Sequence, residues 1–170
     1  MKKEYVKTLL YTYPHIQKTI NRIDQIIVKK ALNSMTEYDN CLAQCEYVVG
    51  LTVQKALLTE LYYYVNKVVS RLTKEEKDCL DYKYFKINPK EYFKNMDLSS
   101  RNYFRKQQYL LDDFSKYLSW MGLDDEWFEV LATRVPILNK MLNSVKVACP
   151  FEVRRKKAKN TKDLQAKKVA

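Results

Sequence analysis

The sequence predicts an all-α fold: a long N-terminal helical hairpin, then a helix-turn-helix module, then C-terminal helices. Three observations predict it. Only two glycines and four prolines occur in 170 residues, and strand-rich folds need many turns that favour both. Apolar residues recur at steps of three and four through most of the chain, the spacing of one helix face. Helix start and stop signals punctuate the sequence at short intervals. With 46% hydrophobic residues the chain can bury a core.

Leu9, Tyr13, Ile16, Ile20, Ile23 and Ile27 form the first stripe. Pro14 interrupts it, so a short helix, a kink or restart at Pro14, and a helix to about Ser34 are expected. Residues 33–41 are polar and turn-like. A second helix is expected from about Leu42 to Leu72. Its coiled-coil-like seam is Leu51, Leu58, Leu61, Val65, Val68 and Leu72, with Gln54 at the one polar seam position. Two such helices joined by a short turn form an antiparallel hairpin, in which each buries the other's stripe or the pair meets a second copy.

Thr73-Lys74-Glu75-Glu76 reads as a capping box, which starts a helix reaching about Phe85. Asn88-Pro89-Lys90-Glu91 starts a short helix ending near Met96. After a turn at Asp97-Leu98, Ser99 or Ser100 caps a helix to about Met121, which Gly122 closes. Asp124, Asp125 and Glu126 open the next helix, where negative charge is favoured. Pro136 starts or bends a last one to about Val145, and residues 152–170 read as a flexible basic tail. The expected units are a hairpin at 1–72, a helix-turn-helix at 73–121, C-terminal helices at 122–151 and the tail at 152–170.

The formal net charge is +11, and its distribution is uneven. Residues 146–170 hold nine Lys/Arg against two Asp/Glu, whereas the preceding residues hold 22 against 18. A basic tail of this kind suits a phosphate backbone or simply keeps the chain soluble. Arg154, Arg155, Lys156 and Lys157 are its densest run and would supply sequence-independent DNA contacts.

Several chemistries are disfavoured. No glycine-rich phosphate loop can be written with two glycines. The lone histidine, His15, follows Pro14 and reads as a solvated first-turn residue, so neither a zinc site nor a nucleophilic triad is expected. Asp112-Asp113 and Asp124-Asp125 read as solvated charges rather than a magnesium or acid–base pair. No cofactor, metal or catalytic residue is expected, and the chain reads as a non-enzyme. Cys41, Cys45, Cys79 and Cys149 are expected as free thiols, small core residues in a reducing compartment. Met1-Lys2-Lys3 leads into a mixed polar stretch, and no apolar run approaches the roughly 20 residues of a membrane span, so a cytoplasmic location without membrane contact is expected.

The helix expected at 99–121 divides in two. Its first part, Ser99 to Gln108, is polar and basic; its second carries Leu110, Leu111, Phe114, Tyr117, Leu118 and Met121. A recognition helix needs this division, since its opening turns enter a major groove while later turns pack home. Arg101, Asn102, Arg105 and Gln108 are expected toward base edges. Ser99, Ser100 and Lys106 are expected on the DNA backbone. At least one of Tyr103 and Phe104 is expected to pack against Leu80, Tyr84 and Phe93.

The run Leu72-Thr73-x-Glu75-Glu76-x-x-x-Leu80, then Tyr84-Phe85, then Tyr92-Phe93-x-x-Met96-x-Leu98-Ser99-Ser100-Arg101-x-Tyr103-x-Arg105, then Leu110-Leu111-x-x-Phe114, resembles sigma-70 region 4. A long helical part before one such module is similar to phage-type transcriptional regulators of the ArpU and RinA kind. The resemblance spans about 72–118 and implies binding of promoter or operator duplex DNA through Ser99 to Gln108; RNA polymerase is a candidate further partner that the sequence leaves open. Residues 1–72 would set a homo-oligomer or dock another protein. Two alternatives remain. One is a plain helical bundle whose third helix is basic on one turn. The other is a helical assembly protein, such as a phage packaging adaptor of the small-terminase type, in which the hairpin is the working part.

Overall fold

A computed structural model describes residues 1–33, 41–85 and 100–148. The described residues are helical throughout, with no strand among them: α1 (Lys3–Asn33), α2 (Cys41–Arg71), α3 (Lys74–Leu80, continued by a π-helical turn Asp81–Phe85), α4 (Ser100–Trp120), α5 (Asp125–Arg134) and α6 (Pro136–Ala148). The short helix expected at 89–96, the turn at Asp97 and the tail at 152–170 lie outside the described residues.

α1 and α2 pack along each other as the expected hairpin. Leu51, Leu58, Leu61, Val65, Val68 and Leu72 of the expected seam are all buried, against Leu9, Ile16, Ile20 and Ile23 of the α1 stripe. Lys55 of α2 reaches Asp24 of α1 at 2.6 Å and ties the two helices beyond that core. Pro14 behaves differently from expectation: α1 runs unbroken from Lys3 to Asn33 with the proline inside it. An interior proline costs a helix roughly 3 kcal/mol. Here Pro14 is exposed while Thr12 and Ile16 on either side are buried, so tertiary packing on both sides of the proline offsets that cost.

The two halves of the hairpin differ. α1 packs not only on α2 but on α4, α6 and the π turn. Its opening turns are therefore covered on several sides: Tyr5, Val6, Thr8, Leu9, Leu10 and Thr12 are all buried. Both buried threonines satisfy their hydroxyls within the helix, Thr8 donating to the Glu4 carbonyl and Thr12 to the Thr8 carbonyl, each at 2.7 Å. Tyr5 stacks on Phe128 of α5 with ring centroids 4.3 Å apart. Past Ile23, α1 has no fully buried residue, and α2 has none before Leu51. The hairpin thus projects beyond the other helices.

Each described helix junction follows its local chemistry. Thr73 and Glu76 form the capping box: the Thr73 amide donates to the Glu76 carboxylate at 2.8 Å, and the Glu76 amide donates to the Thr73 hydroxyl at 3.4 Å. Thr73→Ala is expected to lower stability by about 1 kcal/mol, a fall of roughly 2–4 °C in thermal midpoint for a chain of this size, measured by circular dichroism. α4 closes with Gly122 at φ +78°. The Leu123 amide donates to the Leu118 carbonyl and the Gly122 amide to the Ser119 carbonyl, each at 3.0 Å. This is the bonding of a Schellman stop, and it needs the left-handed residue that glycine supplies. Asp124 caps α5 by accepting from the Trp127 amide at 2.8 Å, and Pro136 opens α6.

Candidate nucleic-acid interface

α4 has a large apolar moment, and its back face explains how its front is presented. Leu110, Leu111, Phe114 and Leu118 are buried in the common core. At about 100° per residue, Arg105 lies nine positions and half a rotation from Phe114, so it points directly away from the core. Arg101 and Asn102 flank it, and all three are exposed, as are Gln108 and Tyr109. Among the described residues neither Arg101 nor Arg105 takes part in an ion pair.

The other expected contact residues are placed differently. Lys106 is half-buried and binds the Glu75 carboxylate of α3 at 3.0 Å. The Gln108 side-chain oxygen accepts from Lys3 of α1 at 3.0 Å. Both are expected at DNA, and both also have intramolecular partners on other helices. Ser100 is the first residue of α4. Ser99, Arg154, Arg155, Lys156 and Lys157 lie outside the described residues.

α3 braces α4 from one side. Besides the Lys106–Glu75 pair, Tyr82 of the π turn meets Tyr103 edge-on at 5.8 Å. Thr73, Glu75, Glu76, Cys79, Lys106, Tyr109 and Leu110 line the cleft between the two helices. Of the two aromatic residues left open by the sequence, Tyr103 packs inward and Phe104 is exposed. Burial pushes the Tyr103 hydroxyl up to about 12, and Gln107, itself buried, donates to that hydroxyl. Tyr103 is thus a neutral wedge behind the exposed arginines. The expected contact with Phe93 lies outside the described residues.

The first turns of α1 border the same face. Lys7 of α1 and Lys83 of the π turn line an apolar groove with Phe104, Gln107 and Leu111 of α4 and Met141 and Val145 of α6. No sequence signal could have found Lys3 and Lys7, which stand about a hundred residues from α4. The acid pairs are accounted for individually. Asp112 pairs with Lys3 at 2.8 Å and Asp113 with Lys116 at 2.9 Å. Asp124 caps α5, and Asp125 accepts from the Lys2 amide at 2.7 Å. Asp112 and Asp113 of α4 are therefore each matched by a lysine.

Cys41 and Cys45 are exposed on the first turns of α2, against the expectation of core residues; Cys79 is buried as expected, and none of the three is in a disulfide. Cys41 and Cys45 lie in the stretch of α2 before Leu51, where no described residue is fully buried, whereas Cys79 and Leu80 of α3 are in the core. Cys149 lies outside the described residues. His15 is exposed. Among the described residues no three His, Cys, Asp or Glu side chains gather as a metal site, and no helix is long and apolar enough to cross a membrane.

Comparison with protein-family models, with curated proteins and with solved structures found no match to this chain.

Proposed function

We propose that the chain binds duplex DNA through the opening turns of α4, as a transcriptional regulator of the sigma region 4-like kind. One observation carries the reading: Arg101 and Arg105 stand on the outward face of a helix whose opposite face is locked into the core. Arginine in that setting can bind guanine O6 and N7 in two-point fashion, or a phosphate. Asn102 beside them suits adenine, and exposed Phe104 and Tyr109 suit a thymine methyl or a sugar. Lys106 and Gln108 act in support, one through α3 and one through α1. The basic tail adds sequence-independent affinity, and RNA polymerase is a further partner on this reading. No catalytic step is involved, and the site of action is the cytoplasm.

The test is selection of bound sequences from random duplex DNA, followed by binding measured against salt. A defined motif should emerge, and affinity should fall steeply as salt rises. Each phosphate contact contributes about 0.9 to the logarithmic salt slope. Deleting residues 152–170 is therefore expected to make the slope shallower by one or more units while leaving the selected motif unchanged. An unmoved slope would exclude the tail from the complex.

The second reading, an assembly or packaging-type adaptor, draws on the projecting hairpin. Closed rings in solution without a selected DNA motif would favour it.

A further inference from the structure

α2 is apolar on two opposite sides. Its inner seam is buried against α1, as described. On the reverse side Leu42, Val49, Val53 and Tyr63 are 44 to 75% exposed. With Ala56, Glu60 and Lys67 they complete a second stripe at steps of seven, four, three, four, three and four, the periodicity of a helix-packing seam. A helix apolar all round is ordinarily buried all round. Nothing in the described fold covers this side. Midway along it, Thr52, Ala56, Thr59 and Tyr63 line a shallow groove, where the small Ala56 side chain allows close approach of another backbone.

We infer that the outer face of α2 is the contact by which two copies of this chain pair, antiparallel, with the helices crossing near Ala56. The charges along the stripe select both the occupant and its direction. In a parallel pair Glu60 would face Glu60 and Lys67 would face Lys67, and like charges at a helix seam repel. In an antiparallel pair crossing near Ala56, like charges are kept apart: Lys67 at one end comes opposite Glu46 of the other copy, and Glu60 comes opposite the other copy's Thr52. Tyr63 of each copy then lies over Val49 and Val53 of the other. A two-fold arrangement makes every such contact twice. The stretch from Glu46 to Lys67 is about 33 Å long, and joining two hairpins this way makes a layer of four helices with the two α2 helices at its centre. The pairing stands apart from DNA binding: it uses none of the α4 residues, and its test contains no DNA.

The experiment is sedimentation equilibrium of the full chain from micromolar to several hundred micromolar, with circular dichroism as the folding control. A monomer–dimer equilibrium is expected. Val53→Glu and Tyr63→Glu, both at exposed positions, should each raise the dimer dissociation constant at least tenfold with unchanged helicity. Glu46→Lys should weaken the dimer, and adding Lys67→Glu should restore it. A chain monomeric at every concentration would overturn the pairing and leave the stripe to a different protein. A dimer indifferent to Val53→Glu and Tyr63→Glu would place the contact elsewhere. A double charge exchange no better than Glu46→Lys alone would overturn the antiparallel arrangement.

Discussion

Phe114→Ala is expected to destabilise the fold by about 3–5 kcal/mol, the cost of emptying a buried aromatic site in a core that cannot fully collapse. Phe114 has no exposed surface and lies at the middle of α4, in the cluster that joins α4 to the opening turns of α1. For a chain of this length that cost corresponds to a fall of roughly 6–20 °C in the thermal midpoint. The contrast is Trp120, on the same helix and 82% exposed, where alanine should change stability by no more than about 0.5 kcal/mol. Thermal melts of the two variants side by side check the claim. Equal losses would mean that α4 does not use its Phe114 face to join the core, and the outward placement of Arg105 would fall with it.

Arg101→Ala combined with Arg105→Ala is expected to cost the opposite property. Stability should move within about 0.5 kcal/mol, because both side chains are exposed and lack ion-pair partners among the described residues. Specific DNA affinity should fall by roughly 2–6 kcal/mol, taking about 1–3 kcal/mol for each two-point contact to a base. That is a loss of about 30-fold to 20,000-fold. Titration of the selected duplex with wild-type and doubly substituted chain, at one fixed salt concentration, measures it. Unchanged affinity in a folded variant would remove α4 from the interface. A loss of similar size on unrelated duplex would mean that the arginines read phosphates alone.

The hairpin, the capping box at Thr73, the glycine stop at Gly122 and the cap at Asp124 were all legible in the sequence, because each depends on residues within a few positions of one another. The division of α4 into an exposed basic start and a buried apolar end was legible for the same reason. Pro14 does not restart the helix: local propensity speaks for a break, and the burial of Thr12 and Ile16 on either side outweighs it. Residue type alone points Lys106 and Gln108 toward DNA and is silent on their bonds within the fold. Their partners, Glu75 and Lys3, come from other helices, and nothing in the local pattern of α4 points to them. The outer stripe of α2 was present in the sequence at regular spacing, but the stronger inner seam masked it. It could have been found by asking why a helix with a complete seam carries further apolar residues on its reverse side.

By itself the sequence determined the helical class, the described helix boundaries and the side of each helix that seeks cover, because backbone capping and apolar periodicity act over one or two turns. Tertiary structure alone decided that α1 lies among α2, α4, α6 and the π turn at its start and projects with α2 at its end. It also decided that Lys106 and Gln108 bond to Glu75 and Lys3 of other helices while Arg101 and Arg105 are in no ion pair among the described residues, and that Cys41 and Cys45 are exposed. Each of these depends on which surfaces meet across long stretches of chain. That choice is made by how the stripes pack together, and no single stripe contains it.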